Sequence, residues 1–247
     1  MTTKDPFNWI VPIPYSVLIV LAEVLIGLGH PILGVIVDSL TFIILLIGTT
    51  REQQRELRLT IALIALLRIL ILTLPLTSFP GFARYAVLGV PVLAALYFTV
   101  QSANLTLADI GITRYGLPLQ IAIGLIGIGL GYVQYRLLPT IKIDGSPFVL
   151  ALDAFILILF VGCLEELLFR GVVQGVAVRN FGVSGVFYPA LFSILFSSRT
   201  INDLVLTFGT ALLFGMIVLR TRSIVGVSLA RSLMSISALL VFPHLLG

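Results

Sequence analysis

The sequence predicts an all-α protein: a polytopic bundle of about eight or nine transmembrane helices, with one interfacial helix or loop before the fifth span. Three observations carry that prediction. Hydrophobic residues make up 59% of the 247 and charged residues only 11%. An ordinary soluble domain carries about 25% charged residues, so this chain cannot coat a water-exposed surface. Mean hydropathy is +1.16, and the apolar residues fall in long runs, most near the about 20 residues that a helix needs to cross a bilayer core. That leaves no room for a separate soluble domain.

Apolar runs broken by Pro, Gly or charge define the helices in order. The first two cover roughly 12–29 and 31–48 and meet at Gly29-His30-Pro31, where a re-entrant hairpin is the alternative to two spans. The third, about 59–76, stops at Pro75 and the Thr77-Ser78 turn, and the fourth covers about 83–100. The mixed segment Leu105–Tyr115, too short to span, is expected at the interface. The fifth helix, about 117–138, carries Gly124, Gly127, Gly129 and Gly131; Gly127 and Gly131 form a GxxxG spacing that reads as a packing seam. Then follow helices at about 148–178, 185–200, 204–220 and 223–242. The chain divides into N-terminal transmembrane helices (1–100) and a core (101–247).

Charge sets orientation. Taking alternate loops, one side holds eight basic residues (Lys4, Arg51, Arg55, Arg58, Arg114, Arg179, Arg220, Arg222) and the other four (Arg84, Arg136, Lys142, Arg199). Cytoplasmic loops carry the excess of Lys and Arg, so the N-terminus of this multi-pass protein is expected in the cytoplasm. The net charge of +4 is accounted for in this way, and no nucleic-acid partner is expected. The start, MTTKDPFNW, lacks the features of a signal peptide, so the first run reads as a retained span. A single cysteine, Cys163, excludes an intrachain disulfide and a Cys-based zinc cluster. With two distant histidines, His30 and His244, and no HExxH, no metal and no cofactor are expected.

Ionisable groups within spans are costly and demand an explanation. The densest set is Glu165-Glu166-Leu-Leu-Phe-Arg170-Gly171 on the sixth helix. Glu166 and Arg170 are i and i+4 in the favourable order, while Glu165 points about 100° away on an ideal helix. Two carboxylates in different environments suit general acid–base work; a buried Glu–Arg strut is the structural alternative. On the last helix Ser228, Arg231, Ser232 and Ser235 share one face, as do Ser193, Ser197 and Thr200 on the seventh. Both stripes are expected to face the bundle interior around the Glu pair. Glu23, His30 and Asp38 form a weaker group, read as a hairpin contact or a proton relay. Arg68 has Asp153 or Asp38 as candidate partner.

EELLFRG resembles the EExxxR motif of the CPBP family, the CAAX-processing and Abi (bacteriocin-immunity) membrane proteins, which include glutamate-dependent intramembrane endopeptidases that clip prenylated CAAX tails. The likeness runs from the LADIGI segment to about residue 237. It implies that Glu165 activates a water molecule, with Glu166 and Arg170 completing the motif. The family's second motif, FxxxH, aligns with Phe196 and Thr200, so threonine stands at the histidine position. In the last motif His and Asn/Asp are replaced by Arg231 and Ser235. Threonine cannot shuttle a proton near neutral pH; arginine is a permanent cation that can stabilise an oxyanion or pair with a glutamate. Arg231 is expected within reach of Glu165 or Glu166.

Three functional readings follow. One is a catalytically degenerate family member acting as a binding, scaffold or immunity-like factor. The second is an active CAAX-type endopeptidase using Glu165, and the third a transporter or channel, disfavoured by the lack of an inverted repeat. The expected partners are the bilayer and, in the bundle cavity, a membrane protein or a prenylated or other peptide ligand.

Overall fold

The computed structural model describes residues 12–50, 54–113, 116–138, 145–195 and 200–246. Among them, helices account for nearly all of the chain and no strand occurs. In chain order they are α1 (Pro12–Gly27), α2 (Pro31–Gly48), α3 (Arg55–Thr73), α4 (Ala83–Ser102), α5 (Leu117–Leu137), α6 (147–181), α7 (Phe187–Ile194), α8 (Ile201–Thr221) and α9 (225–246). The predicted all-α bundle is thus present. Among the described residues, six stretches are long and apolar enough to cross a membrane: 31–48, 83–102, 117–137, 147–194, 201–221 and 225–246. The stretch 147–194 joins α6 to α7 through a 3₁₀ segment, Gly182–Val186. The expected eight or nine spans agree roughly with these six candidates, since α1, at 16 residues, is too short to count and 147–194 holds two helices. Helix α3 carries Arg55, Glu56, Arg58 and Arg68.

Local chemistry sets the ends. Pro31 opens α2, and Pro147 opens α6 behind Ser146, whose side chain accepts from the Val149 amide. Proline at a first helical position loses no intrahelical bond, because that N–H has no partner anyway. The αL cap at Arg222 (φ 52°) ends α8, and Gly116 (φ 68°) precedes α5.

Helix α3 is the inner one of the first four helices, with Leu57, Ile61, Ile64 and Ala65 buried among α1, α2 and α4. Large apolar residues such as Ile32, Ile36, Ile43 and Ile47 on α2 and Ile121, Leu125 and Ile128 on α5 are exposed, as a lipid-facing surface requires. In lipid, helices associate by close packing more than by hydrophobic burial, and glycine supplies that closeness here. A Cβ on Gly127 would lie 2.0 Å from the Ala230 carbonyl oxygen, and one on Gly131 2.7 Å from that of Met234. The glycine run of α5 is therefore the seam for α9. Gly162 brings α6 against Ser232 of α9, and Gly89 brings α4 against Phe160 of α6.

The segment between α4 and α5 forms a plug at one end of the bundle. Ile110 is buried, the Gly111 carbonyl accepts from the Ile224 amide at 2.9 Å, and the plug's backbone approaches Gly171 and Gly175 of α6. Asp109 accepts from the Thr106 amide and hydroxyl at 2.8 and 2.6 Å. Those bonds hold the Asp109 carboxyl below its ordinary range, the hydroxyl bond first. At the same end, Arg179 of α6 pairs with Glu56 of α3 at 3.0 Å.

Candidate functional site

Helix α6 is wound with π geometry over Leu157–Leu164 and Leu167–Val173, on both sides of the Glu165–Glu166 step. A π turn widens the helix and re-aims the side chains that follow, and such turns concentrate at functional sites. Both glutamates reach one cavity of about 340 Å³. Its walls come from α3 through α9. Among the lining residues are Glu165, Glu166 and Arg170 of α6, Ser193 of α7, and Arg231 and Ser235 of α9.

The four charges of this set form two ion pairs. The Arg170 Nε lies 3.3 Å from a Glu166 carboxylate oxygen, with both side chains almost fully buried. The Arg231 guanidinium donates to Glu165 Oε2 at 3.1 Å. Arg231 also acts electrostatically on Glu166, and Glu165 on Arg170, so the pairs make one cluster of two negative and two positive charges. The expected contact between α9 and the motif acids is present, and it falls on the glutamate left without an intrahelical partner. A mutually compensated cluster is the arrangement in which charges can reside inside a bundle.

The serine stripe of α9 faces inward: Ser228, Ser232 and Ser235 are all buried. Ser232 donates to the Ser228 carbonyl at 2.8 Å, and Ser193 of α7 to the Ala190 carbonyl at 2.8 Å. These hydroxyls are spent on their own helices and not on the glutamates they surround. Thr200 departs further. It is exposed and forms the N-cap of α8, its hydroxyl accepting from the Asp203 amide at 3.3 Å; it does not line the cavity. Phe196 and Ser197 lie outside the described residues.

Several cavity residues escaped the sequence reading: Tyr85 of α4, Gln134 of α5, and Asp203, Thr207 and Thr210 of α8. The three on α8 recur at i, i+4 and i+7, a polar stripe that periodicity alone could have revealed. Tyr85 and Gln134 sit singly on apolar helices and leave no such signal.

The weaker group resolves differently from expectation. Arg68 pairs with Glu23 of α1, through Nε and through Nη2 to Oε2 at 2.6 Å, rather than with Asp153 or Asp38. Asp153 lies elsewhere, its Oδ1 3.7 Å from where a Cβ on Gly81, just before α4, would sit. His30 is exposed in the α1–α2 turn, apart from a buried relay. Among the described residues no group of three or more His, Cys, Asp or Glu side chains is placed to hold a metal ion.

Residues 147–237, which hold the EExxxR motif, the cavity-lining part of α8 and most of α9, match the family model of the Rce1-like type II CAAX prenyl endopeptidases. No curated protein and no solved structure matches the chain. Over residues 147–237 this integral membrane protein is thus similar to the CAAX protease-like family, with the EExxxR motif inside the matched segment.

Proposed function

We propose that this protein is a catalytically degenerate CAAX protease-like membrane protein that binds a peptide or prenylated peptide in its central cavity without hydrolysing it. The observation that carries this reading is the 3.1 Å bond from Arg231 to Glu165. A glutamate that activates water must take a proton from it. Here the corresponding carboxylate is held by a guanidinium, a permanent cation with no lone pair to pass a proton on. The family resemblance assigns histidines to hold water at positions that carry Thr200 and Arg231. Thr200 caps α8, and Arg231 occupies the space beside Glu165. The cavity keeps a volume within the range of ordinary ligand sites, and its walls combine Leu157, Phe160 and Leu239 with the charged cluster, which suits an amphipathic ligand.

One observation favours an active endopeptidase instead. The Glu165 and Arg231 side chains retain 36% and 25% of their exposure, so a substrate carbonyl could reach the guanidinium as an electrophilic donor. A single experiment separates the two. The purified full-length chain in lipid nanodiscs is given a fluorescent prenylated CAAX peptide, and binding and product are followed together. Saturable binding with no product formation is expected. Product formation that disappears in Glu165→Gln would overturn the degenerate reading and establish the alternative.

A further inference from the structure

A second cluster of charge lies outside the family-matched segment, among α1, α2 and α3. Arg68 and Glu23 satisfy each other. Asp38 of α2 is fully buried, and neither of its carboxylate oxygens has a hydrogen-bond partner. Among the described residues, the charges that act on it are Glu23 from α1 and Arg68 from α3, the two helices that pack against α2. His30 is exposed in the turn, and Arg55, Glu56 and Arg58 sit at the opposite end of α3. The site therefore contains two acids and one base. Asp38 lies seven residues past Pro31, about 10 Å along the helix from its mouth at 1.5 Å per residue.

From this we infer that Asp38, with Glu23 and Arg68, forms a second intramembrane site that holds one exchangeable proton on the Asp38 carboxyl. An ionised carboxylate with no hydrogen bond, out of water, is too costly to persist and neutralises instead. One proton brings the three-residue site to zero net charge. Among the described residues no third His, Cys, Asp or Glu joins Glu23 and Asp38 to hold a cation. The site also has a defined alternative state. If Asp38 ionises, it competes with Glu23 for Arg68, and α3 carries Leu67 and Ile71 into the wall of the central cavity. Proton occupancy is thus one helix removed from that cavity. This inference does not depend on whether the cavity hydrolyses or only binds.

Infrared difference spectroscopy on the full-length protein in nanodiscs tests it, read as the C=O band of a protonated carboxyl group. At neutral pH the wild type should show a band that shifts in deuterated buffer. It should be lost in Asp38→Asn and unaffected in Glu165→Gln. Glu23→Gln removes one of the two acids, so that Asp38 is balanced by Arg68 without a proton and the band should also disappear, which keeps the test valid if Asp38→Asn folds poorly. Raising sodium at fixed pH should leave the band unchanged. Absence of the band in the wild type, its persistence in either cluster variant, or its loss on adding sodium would overturn the inference.

Discussion

Replacing Arg170 by methionine removes one cation from a buried cluster while keeping the apolar stem. Its Nε lies 3.3 Å from Glu166, and the side chains are 6% and 3% exposed, so the substitution leaves Glu166 buried without a cation of its own. Breaking such a pair costs about 3–5 kcal/mol. For a chain of this size each kcal/mol corresponds to a loss of about 2–4 °C in melting temperature. The expected drop is therefore on the order of 6–20 °C. Glu166→Gln/Arg170→Met removes both charges and leaves Glu165 and Arg231 as a neutral pair. A buried ion pair replaced as a unit is often neutral or stabilising, so the double variant should recover most of the loss. The assay is the fraction of monodisperse protein recovered by size exclusion after heating in detergent. Unchanged melting in Arg170→Met would refute the buried pair. A double variant that falls as far as the single one would refute the charge-compensation reasoning.

Gly127→Ala should lower thermal stability sharply, because the new Cβ meets the Ala230 backbone carbonyl, which cannot yield without separating α5 from α9. Gly129→Ala, two residues on with nothing within 4 Å of the new atom, should be neutral or raise stability by about 0.5–1 kcal/mol from helix propensity; melting curves of the two variants check both. Gln120→Leu removes the Oε1 that accepts from the buried Gly226 amide at 2.7 Å in the first turn of α9, at a cost of about 1–3 kcal/mol; faster hydrogen exchange at Gly226 is the measurement. Asp109 has its folded carboxyl held low by Thr106, so its contribution is complete above the ordinary value of 3.8 and is lost as pH falls through the lowered one. Protease nicking within 105–113 should rise over that acid window in the wild type and already at neutral pH in Asp109→Asn.

What the sequence determined by itself is whatever is local in the chain. Hydropathy, proline and glycine place the helices to within a few residues, because lipid admits little but helices. The Glu166–Arg170 pair follows from i, i+4 spacing on one helix. The glycine seam of α5 and the inward serine face of α9 follow from the same periodicity. Tertiary structure decided every choice among partners from different helices. Arg68 took Glu23 over Asp38 and Asp153, because only the rotation and stagger of α1, α2 and α3 determine which carboxylate faces the guanidinium. Thr200 became the N-cap of α8, because its hydroxyl meets the Asp203 amide where the chain enters that helix. The π winding around Glu165 has no signature in apolar spacing, yet it helps aim both glutamates into one cavity. Tyr85, Gln134 and Asp203 joined that cavity for the same reason: a polar side chain on an apolar helix acquires its meaning from the helices packed around it.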